Sequence, residues 1–480
     1  MILIAILALP LLAAAVCGLS GSERWSPRVT LLAALANLLL AGEVALRAAG
    51  GETIVALPHW IAADGLSALI ALLITAVGTS AALFSWGYMA HSTQKPRALR
   101  LYYVNFNLFL FAMLAVPLLA EPNLVWIAVE LTTLFSVLLV SFADTHDALE
   151  AAWKYAVLTL SGAAIALFGF LLLFWAWQTA GGGPYSWATL RAAAGAMPPR
   201  LLQAAFLLIL VGFGAKVGLV PLHTWLPDAH SQAPTPVCAL LSGVETSAVL
   251  YVILRLLPLL GPASQGRAWA LAFGLLSAGV ASFLLLRVRD YKRLFAFSTV
   301  EQMGIVLAAA GLGSGAASYA ALLQIVAHAL GKSFCFYAAG SAALLSGTTE
   351  IAGVRGLLRS SPLGGIALLL GGLTIAGAPP LALFLSEFSI LKAGLSGGQY
   401  LAVALLTLFI AVAFFGILRH ILPMVFGKPL PQSVNRKLPR SVVLTLLLAA
   451  LPLFVLGVYL PEQLSALLRV AAAALTHLAR

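Results

Sequence analysis

Fourteen long apolar runs follow one another through this chain, at 2–20, 27–47, 62–86, 101–119, 123–142, 148–177, 201–222, 236–258, 267–286, 296–312, 317–345, 363–391, 398–422 and 438–459. Each is long enough to cross a hydrocarbon layer of about 30 Å at about 1.5 Å per residue. The runs are continuous and not alternating, which selects helices over barrel strands. In lipid, every backbone N–H and C=O must be satisfied inside its own segment or in a closed barrel. The fold class expected is an all-α polytopic membrane protein of about fourteen transmembrane helices. Composition agrees: 62% of residues are hydrophobic and 9% charged, against about 25% charged in a soluble domain.

The net charge of +11 would suggest nucleic acid in a soluble protein. Here the basic residues must first be placed against the membrane. With the first loop inside and alternation thereafter, seventeen Lys and Arg fall inside, from Arg24 through the run Arg287–Arg293 to Arg436, Lys437 and Arg440. Seven fall outside: Arg47, Arg191, Arg200, Arg267, Lys392, Arg469 and Arg480. This is the positive-inside bias of a fourteen-crossing protein with both termini outside. The charge is a topology signal, and no nucleic-acid partner is implied. The run at 2–20 has no positive lead and is followed at once by further spans, so it reads as a first spanning helix and not a signal peptide.

Two runs are disturbed. In the seventh, Gly218 and Pro221 follow Lys216; in the twelfth, Gly377, Pro379 and Pro380 interrupt an apolar stretch. Proline removes a backbone donor and clashes with the preceding turn, so both helices are expected to be broken, with the freed carbonyls facing a hydrated interior. An offset of five helices turns the second unit upside down relative to the first, the pattern of inverted repeats. The expected organisation is three N-terminal spans at 1–100, a five-helix repeat at 101–258, its inverted counterpart at 267–424, and a last span with tail at 425–480. Tyr185–Pro199 reads as a short amphipathic piece on the outer face, and Glu462–Leu478 as an amphipathic tail helix or lateral contact.

A charge in the bilayer centre costs several kcal/mol, roughly 2.5–3.5 on insertion scales, so embedded charges mark candidate sites. Glu130 lies in mid-segment, too short to reach either face, with Lys216 its expected partner. A close opposite charge keeps both groups ionised, which is the minimum for a proton relay. His328 and Lys332 are four apart and share a helix face, and imidazole can carry a proton either way. Glu387 lies beyond the Pro379–Pro380 break, the positional analogue of Lys216. Glu245, two to three turns into the eighth helix among Ser242, Thr246 and Ser247, is either a relay group or a buried partner of His223, His230 or Arg255. His223, Asp228 and His230 are placed on the inner loop or its mouth, where they gate access or cap helix ends. Glu301, with Gln302, is placed near the inner end of the tenth helix and either pairs with the basic run before it or serves access.

No zinc, hydrolase-elbow, phosphate-loop or dinucleotide motif is present. Cys17, Cys238 and Cys335 lack disulfide or cluster spacing. No metal or cofactor site is expected in this chain.

Three blocks carry a resemblance: KVGLVPLHTWLPDAHSQAPTPVCALLSG from Lys216 to Gly243, DYKRLFAFSTVEQMG from Asp290 to Gly304, and AHALGKSFCFYAAG from Ala327 to Gly340. Over roughly Leu101 to Met424 the chain resembles the antiporter-like membrane subunits of complex I, group 4 hydrogenases and Mrp-type cation/proton antiporters. The SQAPTPVCALLSG wording is similar to hydrogenase-type subunits such as hydrogenase-4 component F. The resemblance implies a bacterial inner-membrane protein, both termini periplasmic, that translocates protons beside sister subunits. It implies a peripheral redox arm whose iron–sulfur or nickel–iron centres lie in partner chains. Glu130, Lys216, the pair His328–Lys332 and Glu387 match the family's charged positions. One departure stands out: complex I-type relatives carry a lysine in the eighth helix near Ser247, whereas this chain has Glu245, about 200° away on a helix. The relay is therefore either rerouted through Glu245 or weakened. The alternatives to a redox-driven proton pump are an Mrp-type Na⁺ or K⁺/H⁺ antiporter subunit and the membrane subunit of an inorganic-carbon uptake complex.

Overall fold

The computed structural model describes residues 1–20, 24–261, 264–429 and 437–476. Arg436, Arg480 and the end of the 462–478 tail segment lie outside the described residues. The chain opens with α1 (Ile2–Leu19) and α2 (Ser26–Ala49), then a small hairpin of β1 (Ile54–Leu57) and β2 (Ile61–Ala63), then α3 (Gly65–Met89). Next come α4 (Pro96–Leu118), α5 (Pro122–Val140), α6 (His146–Thr179), the short α7 (Trp187–Ala193), α8 (Pro199–Val217), α9 (Trp225–Gln232), α10 (Thr235–Leu240) and α11 (Thr246–Leu256). The second half holds α12 (Gly266–Leu284), α13 (Tyr291–Gly311), α14 (Gly315–Ser346), α15 (Leu357–Ser360), α16 (Pro362–Ile375), α17 (Ala382–Ser396) and α18 (Tyr400–Phe426). The chain closes with α19 (Arg440–Val458) and α20 (Glu462–Ala474).

Among the described residues, 13 helices are long and apolar enough to cross a membrane. The fourteenth crossing is the interrupted pair α16 and α17, of 14 and 15 residues, each too short alone for about 30 Å. The protein is a multi-pass membrane protein, helical but for the β1–β2 hairpin, whose strands pair antiparallel with Ile54 opposite Ala63. The hairpin was not legible as strand, because β2 opens an apolar run that reads as helix.

Local sequence sets the helix ends. Pro96, Pro122, Pro199 and Pro362 stand in the first turns of their helices, where a missing N–H costs nothing. Side chains of Asp64, Thr145, Asp290 and Ser314 accept from the first-turn N–H groups of α3, α6, α13 and α14, satisfying orphan donors. The two breaks fall where glycine and proline place them. α8 stops at Gly218 with φ +87°, and α16 gives way at Gly377 with φ +69°, left-handed conformations that glycine tolerates. In each half the fourth helix of five is the broken one.

The span formed by α10 and α11 is 100% buried and those of α13 and α14 are 89% buried, whereas α1, α2, α18 and α19 are only about a third buried. Glu245, Glu301, His328 and Lys332 ride on these central helices, and Lys216 and Glu387 reach in from α8 and α17 with 4% exposure or less. Small residues permit the close approach of these helices. A Cβ added to Gly162 would stand 2.5 Å from the Gly212 carbonyl oxygen, and one on Gly212 would press closer still on that of Gly162. α6 and α8 therefore touch backbone to backbone, the packing mode that small residues allow between spanning helices. Tyr155 and Lys216 ride on these two helices.

The tail does not extend sideways: α20 packs back on α2, α3 and α14. Arg191 of α7 donates to the carbonyls of Ala474 (3.0 Å) and Ala473 (3.2 Å) at its end, a cation on the negative pole of a helix.

Candidate functional site

The site is built around the last turn of α8. Lys216, 2% exposed, donates from Nζ to Thr133 Oγ1 (2.6 Å) on α5 and to Tyr155 OH (2.8 Å) on α6. It also forms an ion pair with Glu245 Oε1 at 2.9 Å. The Tyr155 hydroxyl donates to the same carboxylate oxygen (3.1 Å) and lies 2.7 Å from Ser136 Oγ. The Tyr155 ring packs 4.4 Å from Trp225, whose indole N–H donates to the Ala215 carbonyl. A lysine, a carboxylate and a phenol thus close a three-membered polar ring inside the bundle.

This corrects the expected pairing. Glu130 is half-buried on α5, and its Oε1 has no hydrogen-bond partner; Lys216 is held by Glu245 instead. The physical reason lies in the eighth span. Leu241–Glu245 forms a π-turn between α10 and α11, which inserts a residue into the helical ladder and rotates the side chains beyond it. Glu245 is therefore not the partner of His223, His230 or Arg255. Ser247 hydrogen-bonds its own helix at the Gly243 carbonyl.

The π-turn also touches the second half. His328 Nε2–H donates to the Ser242 carbonyl (2.9 Å), while its Nδ1 is buried without a partner, as is Glu245 Oε2. One turn along α14, Lys332 donates to the Phe295 carbonyl (2.8 Å) and to the Ser298 hydroxyl on α13. Beyond it lie Glu301 and Gln302 on α13, Gln324 on α14, and Ser386 and Glu387 on α17, all 4% exposed or less. Gln302 Nε2 donates to Glu301 Oε2 (2.9 Å) and Glu387 Oε1 (3.2 Å).

The residues expected at the inner mouth divide. Asp228 stays there, pairing with Lys154 (3.3 Å) and Arg293. It lines an open cleft of about 1040 Å³ at that end of the bundle with Glu150, Lys154, Arg289, Arg293 and Arg419. His230 does not: it is fully buried on α9, donating from Nδ1 to the Leu226 carbonyl (2.7 Å), with its ring 5.5 Å from Phe336. His223 is buried beside Phe297. Glu301 is interior and belongs with Glu387; it does not pair with the basic run. Pro221, Pro379 and Pro380 sit at the two breaks, each break holding a cis X–Pro bond, Val220–Pro221 and Pro379–Pro380.

Four polar residues were missed. Gln324 could have been found, since it completes an i, i+4, i+8 stripe with His328 and Lys332. Tyr155 and Thr133 gave no signal, because a hydroxyl in an apolar helix is commonplace. Lys292 was read as a topology charge, but it is 5% exposed and donates to the Ser231 (3.0 Å) and Ala233 (2.7 Å) carbonyls at the end of α9. Among the described residues no His/Cys/Asp/Glu group is arranged to hold a metal ion.

At the opposite end of α11 from the π-turn, Arg255 pairs with Asp64 (2.6 Å) and donates to Tyr251 OH (2.6 Å) and Ser67 Oγ (2.8 Å). Burial pushes the Asp64 carboxyl up, but Arg255 and Ser67 outweigh it and hold the group below its ordinary range.

The family model described as NADH:quinone oxidoreductase/Mrp antiporter, transmembrane, matches residues 122–413. The chain belongs to this family. A second model, the complex I chain 5 N-terminus, matches residues 55–97. A hydrogenase-4 component F homolog of Methylacidiphilum infernorum (isolate V4) is 38% identical over 410 residues, 83% of this chain and 85% of the relative. A Na⁺/H⁺ antiporter subunit A1 of Staphylococcus haemolyticus (strain JCSC1435) is 32% identical over 80% of this chain, but the chain spans only 50% of that relative. Among solved structures, a chain of the membrane-bound sulfane sulfur reductase, an archaeal respiratory membrane complex, superposes with TM-score 0.88 at 26% identity, covering 99% of this chain and 98% of that one. A chain of the Mrp complex from Dietzia sp. DQ12-45-1b gives TM-score 0.89 at 19% identity, covering 99% and 97%, a likeness of fold alone. Both neighbours come from multisubunit membrane complexes.

Proposed function

We propose that this antiporter-family subunit translocates protons across a bacterial inner membrane as part of a multisubunit redox-driven complex of the hydrogenase-4 type. One observation carries the reading. Buried ionisable groups on α8, α10–α11, α13, α14 and α17 line up across the bundle, and the Leu241–Glu245 π-turn touches both halves of the line. Lys216 meets its side chain at Glu245, and His328 meets its backbone at Ser242. Charges this deep persist where they do work. A proton arriving at the unpartnered Glu245 Oε2 weakens the hold on Lys216. A proton on His328 Nδ1 places a second cation one turn from Lys332. Each event changes the electrostatic setting of its neighbour, so protonation can pass along the line without a cofactor. Glu130, one turn from the Thr133 that holds Lys216, is the waiting second counter-charge. The inner cleft around Asp228 supplies access, and both termini lie outside, as the basic-residue bias implies.

The hydrogenase-type assignment rests on the relative that matches over most of both lengths. Partners are then sister membrane subunits and a peripheral arm holding iron–sulfur or nickel–iron centres. The second reading, a Na⁺ or K⁺/H⁺ antiporter subunit, is favoured by the Staphylococcus relative and uses the same residues. Copurification from native membranes with mass spectrometry tests the choice. Redox subunits carrying metal centres support the proposal, and Lys216→Ala should then uncouple electron flow from proton transfer. Recovery with small membrane subunits alone supports the antiporter reading, with cation-driven pH change in vesicles as its assay. Recovery with a large soluble zinc-bearing partner instead supports inorganic-carbon uptake.

A further inference from the structure

The cluster at the second break has an order that the relay reading does not use. Its donors run one way. Ser386 Oγ donates to Gln324 Oε1, Gln324 Nε2 donates to Gln302 Oε1, and Gln302 Nε2 divides its hydrogens between Glu301 Oε2 and Glu387 Oε1. A primary amide has two N–H donors, so Gln302 commits both to carboxylates from two different helices. The whole chain of hydroxyl and amides is polarised toward these two groups.

Two carboxylates buried against one neutral amide are disfavoured from both ionising. Like charges held by a single amide nitrogen repel, which favours a proton on one of them. The neighbouring cation, Lys332, bonds to Phe295 and Ser298 and not to either carboxylate. The pair is thus arranged to share a proton.

The break holds the pair from the other side. A Cβ built on Gly377 would collide with Glu387 Oε2. The carboxylate rests against bare backbone at the point where α16 ends, in a space only glycine leaves. On α13, Ser298, Glu301 and Gln302 stand at i, i+3 and i+4 and share one face. The serine that accepts from Lys332, and itself donates to the Phe295 carbonyl, thus stands one turn from Glu301 on the same face.

We propose that Gln302 is a positioning residue that holds Glu301 and Glu387 as one proton-sharing carboxylate pair, and that Glu301 is the relay group between Lys332 and the second helix break. The role in transport rests on the proton-translocation reading; the pairing itself does not. In operation, the Ser298 hydroxyl, which at rest donates to the Phe295 carbonyl, turns toward Glu301, passes its proton to the ionised carboxylate and takes one from Lys332. The proton already held leaves from Glu387 to water admitted at the break. One proton enters as one leaves, and the pair returns to a single negative charge.

Infrared difference spectroscopy of the full chain in lipid, taken across a pH titration, tests the pairing through the protonated-carboxyl stretch. A shared proton predicts that Glu301→Gln and Glu387→Gln remove the same band, and that the double variant removes no more than either alone. Gln302→Met keeps both carboxyls but removes the amide that holds them together, so the two well-separated steps of the coupled wild-type pair are expected to move closer by at least one pH unit, a tenfold change in proton affinity. Gly377→Ala, which pushes on Glu387 alone, is expected to alter the same band. Separate wild-type bands, each lost only in its own variant, would overturn the proposal, as would a Gln302→Met titration identical to wild type. In vesicles carrying the intact complex, Glu301→Gln should lower proton flux at least tenfold, and Glu387→Gln should add less than threefold to that loss. Shared-band behaviour with unchanged flux would leave the pairing standing and sink the translocation reading, so the two fail separately.

Discussion

Replacing Glu245 with glutamine tests which carboxylate Lys216 answers to. The lysine and the glutamate are 2% and 1% exposed and 2.9 Å apart. Removing one partner of a buried pair strands the other charge and destabilises by about 3–5 kcal/mol. Glutamine keeps a carbonyl oxygen near the ammonium, and the bonds to Thr133 and Tyr155 survive, so Glu245→Gln is expected near the lower end, about 3 kcal/mol. Lys216→Met should cost a similar amount, because it strands the carboxylate. The double variant removes both charges and should cost about 1 kcal/mol or less, since apolar replacement of a buried pair is often close to neutral. The coupling energy from the cycle is then about 5 kcal/mol, far above the few tenths expected of independent sites. Glu130→Gln alters a carboxylate whose Oε1 has no partner and should cost under about 1 kcal/mol. Unfolding of the purified chain in mixed micelles, followed by helical circular dichroism, gives the ranking. Glu130→Gln as destabilising as Glu245→Gln, or additive losses in the double variant, would refute the reasoning and restore the pairing expected from sequence.

Tyr155→Phe keeps the packing on Trp225 but deletes the hydroxyl that joins Lys216 to Glu245; a loss of about 1.5–3 kcal/mol is expected, read in the same unfolding assay, with slower proton flux in vesicles. Gly212→Ala forces a methyl group against the Gly162 carbonyl and should destabilise by about 1–3 kcal/mol, whereas Gly42→Ala, which meets nothing within 4 Å, should be neutral or better; thermal unfolding separates them. The Asp64–Arg255 tie has a definite pH sign: a carboxyl held below its ordinary range contributes stability that is full above about pH 3.9, the unfolded value, and is lost as pH falls through the lower folded value. Because Asp64 is 32% exposed, the effect is discounted to about 1 kcal/mol, and Asp64→Asn should remove that acid limb from the unfolding profile while leaving neutral-pH stability lower by the same amount.

Legibility in the sequence tracks cost. A helix crossing lipid must be apolar along its length, so fourteen crossings could be read off, and a charge inside one is expensive enough to mark itself. Glu130, Lys216, Glu245, His328, Lys332 and Glu387 announced themselves in this way, and Gly218 and Gly377 announced the breaks. Pairing was not legible, because it depends on which way each helix is turned. The chain offers two carboxylates for one lysine, and composition is indifferent between them. The Leu241–Glu245 π-turn decides, and a π-turn adds one residue to a helix without any signature that would distinguish it from a regular turn of SGVE. The neutral members escaped for a related reason. Tyr155, Thr133 and Ser298 carry little insertion penalty, so they look like ordinary helix residues until a charge is set against them. The same point accounts for Glu301. Beside Arg287–Arg293 in sequence it reads as a surface pair, but it stands more than two turns into α13, and that distance of about 1.5 Å per residue carries it away from the basic run to the level of Glu387, with which it shares the Gln302 amide. Placement along the axis can be counted from sequence; rotation about the axis must be seen, and the chemistry of this site is set by rotation.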